Sequence, residues 1–261
     1  MRYLRLVAIQ VRVSIAAAFA YRANFAIAGV MSAAWLGLTL LPLIVVYDER
    51  SSVNGWDLPS ALIVMAYFTA LRALLEGVIS PSLVDLVEKI RNGSFDYVLL
   101  KPVDAQVAIS SSRHEPWKLV DGIGAIALAL YAFSRRGYPP SLSELGLGIG
   151  LFITGAIAMY SLWIVCAAAS FWVGRLDNLI YLLGAIFDTA RWPVQVFPGI
   201  WRFIFTFVIP VAVMTTFPAM ALLGTIDAQT TVATAAGALV MLVCSRLVWR
   251  TAIRSYTSAS S

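Results

Sequence analysis

Seven runs of apolar residues, at about 23–47, 60–79, 117–134, 145–173, 178–197, 200–224 and 230–249, dominate the chain. Each approaches the ~20 residues that a helix needs to cross a hydrocarbon core. Little charge lies between them. Of 261 residues, 13% are charged and 60% hydrophobic, with a mean hydropathy of +0.83. A soluble domain carries about 25% charged residues. A chain this poor in charge cannot cover a water-facing surface, so lipid must solvate much of it. The expected class is all-α, a polytopic membrane protein.

Charge placement orients the spans. The net charge is +5, and the basic residues flank apolar runs, which reads as topology rather than nucleic-acid binding. Arg2, Arg5, Arg12 and Arg22 mark the N-terminal segment; Arg246, Arg250 and Arg254 mark the C-terminal end. Lys89, Arg91, Lys101, Arg113 and Lys118 mark the loop after the second run. By the positive-inside rule all three are cytoplasmic. The 48–59 loop has only Arg50 against Asp48, Glu49 and Asp57, and the 225–230 loop has Asp227 with no basic residue. Arg135 and Arg136 are exceptions on the outer side. Trp56, Trp117, Trp192 and Trp249 fall near span ends, as in an aromatic belt.

Two cytoplasmic ends require an even number of crossings, one fewer than the seven runs. The weakest run holds Pro210 and Pro218, with Pro193 and Pro198 just ahead. Each proline removes a backbone donor. The expectation is six transmembrane helices, with 193–224 a re-entrant or outer-leaflet hairpin before the last span. Irregular backbone at that depth must be covered by protein or line a cavity. Residues 1–22 read as an interfacial helix, with the first long run a retained span rather than a cleaved signal. Cys166 and Cys244 read as small core hydrophobes without metal or disulfide spacing.

The least membrane-like stretch is the loop 80–116. Ser82 and Asp85 fit the start of a short helix. Leu83, Val87 and Ile90 would share one face, with Asp85, Glu88 and Lys89 elsewhere. Asn92-Gly93 is a natural stop. From the residues alone, this amphipathic helix either lies on the membrane interface or docks a soluble partner.

The segment EKIRNGSFDYVLLKP resembles a motif of the ABC-2-type transporter permeases, carried here by Ile90, Arg91, Gly93, Asp96, Leu99, Lys101 and Pro102. The run from Trp192 to Gly224 is similar to that family's proline progression, and the close from Arg254 to Ser261 resembles its ending. The resemblance implies that 23–261 is an ABC-2-type transmembrane domain forming half of an exporter's pathway, in a bacterial inner (cytoplasmic) membrane. It implies a coupling helix at about 82–92, with Asp85, Glu88, Lys89, Ile90, Arg91, Gly93, Phe95, Asp96, Lys101 and Pro102 meeting a dimeric ABC ATPase. It also implies a second permease, a different chain or a second copy.

The chain has no GxxxxGK[ST] phosphate loop. No cofactor is expected in it; ATP and Mg would be held by the partner ATPase. The single histidine, His114, offers no paired-histidine zinc site. Charges inside or beside spans mark functional sites or helix-positioning ion pairs. The candidates are Arg72, Glu76, Asp121, Asp188 and Arg191. A membrane-bound enzyme and a non-transporting scaffold or sensor are the alternative readings.

Overall fold

The computed structural model describes residues 2–20, 22–172 and 177–256, without the side chains of 2–6, 17–20, 22, 24 and 177–180. The polar close after Tyr256 and the side chains of Arg2, Arg5 and Arg22 lie outside the described residues. The chain is almost entirely helical. In order come α1 (Arg2–Ala20), α2 (Arg22–Glu49), a two-stranded hairpin (β1 Ser52–Val53, β2 Trp56–Asp57) and α3 (Leu58–Leu74). A π-turn at Leu75–Ile79 leads into α4 (Ser80–Arg91), then α5 (Asp96–Leu99) and α6 (Ala105–Ser110). The rest comprises α7 (Leu119–Arg136), α8 (Leu142–Ala168), α9 (Asp177–Phe187), α10 (Gly199–Phe203), α11 (Phe217–Leu222) and α12 (Ala228–Arg254).

Among the described residues, 5 helices are long and apolar enough to cross a membrane: Phe25–Glu49, Leu58–Arg91, Pro116–Arg136, Leu142–Phe171 and Ala228–Arg254. A sixth crossing is reached if the bent pair Gly199–Val208 and Ala212–Leu222, at 73° to each other, counts as one span. The run at 178–197 is shorter than expected. Its α-helix has 11 residues and tightens into a 3-10 turn at Asp188–Arg191. At about 1.5 Å per residue it falls well short of a ~30 Å core. Trp192 is extended, as a residue before proline prefers, and Pro193 ends the helix.

The bend in the proline-rich segment falls at Ile209, extended before Pro210. Pro218 causes no break: it sits in the first turn of α11, where a π-turn at Ala212–Thr216 passes into α-helix. The second arm packs against α8 and α3. Two fully buried threonines serve the irregular backbone beside it. Thr215 Oγ1 donates to the Ala190 carbonyl at 2.8 Å, and Thr216 Oγ1 accepts from the Val194 N–H at 3.0 Å. A Cβ on Gly155 would lie 2.9 Å from the Met214 carbonyl, so α8 and this arm meet backbone to backbone.

The bundle has two distinct ends. At one, the β1–β2 hairpin turns through Asn54 (φ 49°) and Gly55 (φ 85°), as an Asn-Gly hairpin turn requires. Asn54 donates to the Gln195 carbonyl at 3.0 Å. Asp57, Ser141 and Asp227 cap the helices that start there, and Ser141 forms a full capping box with Glu144. Arg136, one of the two topological exceptions, donates to the Leu223 carbonyl at 3.3 Å and lies over the Tyr138 ring. The other end gathers α1, α4–α6 and the end of α12. Gln10 of α1 donates to the Ala108 carbonyl at 3.4 Å and accepts from Ser111 at 2.6 Å. The aromatic-belt reading is corrected for two tryptophans: Trp249 is 1% exposed and Trp56 7%, so they face protein. Cys244 is exposed rather than core, while Cys166 is half-buried.

Candidate functional site

The segment 80–91 is helical and ends where expected, with Gly93 at φ 75°. Its start differs. Ser82 is not a helix cap, because α3, the π-turn and α4 form one helical run, Leu58–Arg91. The Ser82 hydroxyl is turned sideways instead. It donates to the Arg113 carbonyl at 2.9 Å and accepts from the Arg113 N–H at 3.2 Å, tying α4 to the chain before α7. The buried face also differs: it is centred on Ser82, Leu83 and Leu86, while Val87 and Ile90 sit at its margin. The sequence spacing i, i+4, i+7 selected a face rotated toward a neighbouring cavity.

The residues after α4 fold back on the bundle. Ser94 donates through its N–H and hydroxyl to Asn92 Oδ1, making a tight polar turn. Phe95 is fully buried, edge-on to Phe171 and Tyr256 at 5.3 Å and to Trp249 at 6.5 Å. Asp104 caps α6 through the N–H groups of Gln106 and Val107 and also pairs with Arg246 of α12. That guanidinium holds the Asp104 carboxyl below its ordinary range. Lys89 pairs with Asp85, which accepts the Ser112 hydroxyl at 2.9 Å, so both residues brace the loop internally. Glu88, Arg91, Lys101 and Pro102 are exposed, beside exposed Tyr97, Leu99 and Leu100; Asp96 is half-buried.

The five intramembrane candidates come together at the base of this loop. Arg72 Nε donates to Glu76 at 2.8 Å, and its Nη1 reaches Asp188 at 3.3 Å. Arg191 lies 3.5 Å from Asp188. Lys118, missed as a member, completes the set by binding Glu76 at 2.5 Å and Asp121 at 3.4 Å. By sequence it stands out only as a loop cation, and Asp121, three residues on, is the signal that points to its pairing. The order is Asp121, Lys118, Glu76, Arg72, Asp188, Arg191, alternating in sign and balanced in charge.

Three cavities, of about 330, 380 and 490 Å³, border this chain of charges, and Glu76 lines all of them. The first opens between α2 and α7, with Trp35, Phe68 and Trp117 in its wall. The second is walled by Trp163, Tyr181 and Phe187. The third faces the loop and holds Arg113, His114 and Glu115. Burial there pushes the His114 imidazole below, and the Glu115 carboxyl above, its ordinary range. Among the described residues no group of three metal-ligating side chains gathers. The arrangement is a set of amphipathic recesses around a paired charge relay.

No curated protein and no solved structure matches the chain. The family model described as ABC-2 family transporter protein matches residues 33–260. That family comprises membrane subunits of ABC transporters, which are not themselves catalytic and work with an ABC ATPase. The match takes in the long helices, the loop and the bent pair, and the chain belongs to the ABC-2 transporter family as a multi-pass membrane permease component.

Proposed function

We propose that this chain is one of two permeases of an ATP-driven exporter in a bacterial inner membrane, driven by a separate ATPase pair that binds ATP and Mg. The loop end, with both termini, faces the cytoplasm and the hairpin end faces out; α9 and the bent segment 193–224 together make the sixth crossing that this sidedness needs. The segment 80–102 is the coupling element, with Glu88, Arg91 and Asp96 meeting the ATPase. The second permease is a different chain or a second copy of this one.

The observation that carries this reading is the single helical run Leu58–Arg91. A push on its polar end reaches an apolar span through continuous helix, with the π-turn at Leu75–Ile79 between the two. The basic loop end supports the sidedness. The exposed Tyr97, Leu99 and Leu100 beside Arg91 and Lys101 suit a protein partner better than open water.

The test is affinity capture of the tagged chain from membranes, followed by flux into inverted vesicles. A P-loop ATPase and a second permease are expected to co-purify, and export of the substrate to depend on ATP. Glu88→Ala, Arg91→Ala and Asp96→Ala together are expected to lower ATPase recovery or its coupling at least tenfold. Normal assembly and flux in the triple variant would remove the coupling assignment. Activity of the purified chain without any ATPase would favour an enzyme instead.

A further inference from the structure

We infer that Glu76 is a positioning residue: it is the joint through which displacement of α4 is passed to the third and the fifth apolar segments. This rests on the permease reading above, and adds to it the place where force enters the membrane network.

The helix from Leu58 to Arg91 is not uniform. Its π-turn, Leu75–Ile79, is the one irregularity between span and loop. A π-turn inserts an extra residue and leaves a backbone group to find another partner. Here the Gly77 carbonyl accepts the Glu115 N–H at 2.7 Å. A Cβ on Gly77 would stand 3.1 Å from Lys118 Cβ, so the turn and the start of α7 are in close approach. Relaxing the turn to α-helix would rotate α4 by about 100° and move it about 1.5 Å along its axis. Such a step must break or remake the Gly77–Glu115 bond.

Glu76 sits inside that turn and uses both carboxylate oxygens. Oε1 takes Arg72 Nε at 2.8 Å and Oε2 takes Lys118 Nζ at 2.5 Å. Among the described residues the ion pairs within 4.0 Å join the six charges in one unbranched line, so removing Glu76 divides the direct pairs, leaving only longer-range attraction between Arg72 and Asp121 across the gap. Lys118–Asp121 on α7 remains on one side; Arg72–Asp188–Arg191, reaching the 3-10 turn after α9, remains on the other. The three cavities meeting at Glu76 leave it room to move. Asp85, Lys89 and Ser112 keep the far part of α4 attached to its own loop, so motion of the loop module is delivered at the turn.

The test uses the complex purified with its ATPase, in a background of Cys166→Ala and Cys244→Ala. Spin labels are placed at Leu119→Cys on α7 and Leu182→Cys on α9, both exposed and outside the charge line. Without substitutions in the line, trapping the ATPase with ATP and vanadate is expected to shift the label–label distance. Glu76→Gln and Lys118→Met are expected to trap vanadate normally yet lose the shift, and Lys118→Arg to restore it. Melting temperature checks that each variant folds; where Glu76→Gln does not, Lys118→Met carries the same comparison from the other partner. A normal shift in both neutral variants overturns the inference while the permease reading stands. Failure of the unsubstituted chain to recover any ATPase overturns both.

Discussion

Replacing Phe95 with alanine should release the loop from the bundle without unfolding the spans. The ring is 0% exposed and meets Phe171, Tyr256 and Trp249, which come from the ends of α8 and α12. Removing a buried phenylalanine costs about 3–5 kcal/mol, of which each edge-to-face partner supplies roughly 0.5–1.5. The site is near the bundle's end and can partly collapse, so the low figure, about 3 kcal/mol, is appropriate. At about 1.4 kcal/mol per tenfold, the loop should open roughly 100-fold more often. Trypsin reads this directly, because Arg91 is exposed but lies in a helix, and cleavage after it requires local opening. Cleavage at Arg91, identified from the fragment beginning at Asn92, should rise by about that factor. Phe95→Leu, which keeps most of the volume, should raise it by no more than about tenfold. Unchanged cleavage in Phe95→Ala, with the same melting temperature, would refute the claim that this aromatic cluster holds the loop.

Two further outcomes follow from the same geometry. Asp104 is held below its ordinary pKa by Arg246, so its stabilisation is present above about pH 4 and lost as pH falls through the lowered folded value. Thermal melts in detergent between about pH 5 and pH 3 should show this decline, and Asp104→Asn should flatten it. Gly155→Ala should destabilise the protein by about 1–3 kcal/mol, because the new methyl meets Met214 backbone at 2.9–3.0 Å. Gly150→Ala, on the same helix with nothing within 4 Å, should be neutral or stabilising by up to about 1 kcal/mol; equal melts for the two variants would contradict the packing.

Several breaks follow from local sterics alone. Pro193 and Pro210 break the chain where their sterics require, and Asn92-Gly93 ends α4. The reading of Ser82 was wrong for an instructive reason. Ser with Asp three residues on has the features of a helix start, yet the preceding span supplies a helix that continues through it. The hydroxyl is then free to hold Arg113. Pro218 fails as a breaker for a related reason: a missing N–H costs little where a π-turn becomes an α-helix.

Hydropathy, proline placement and the distribution of charge determined by themselves that this is a lipid-solvated helical chain with one polar loop and one bent pair. Those properties depend on solvation and on neighbours in sequence. Tertiary structure alone decided the partners. Arg246 finds Asp104 across 142 positions, Arg72 finds Asp188 across 116 and so ties the Glu76 side to Arg191, and Lys118 adds Asp121 to the line. No periodicity encodes such pairings. They arise because a buried or half-buried charge must find an opposite one, and only the packing of α3, α7 and the segment after α9 brings those charges within reach.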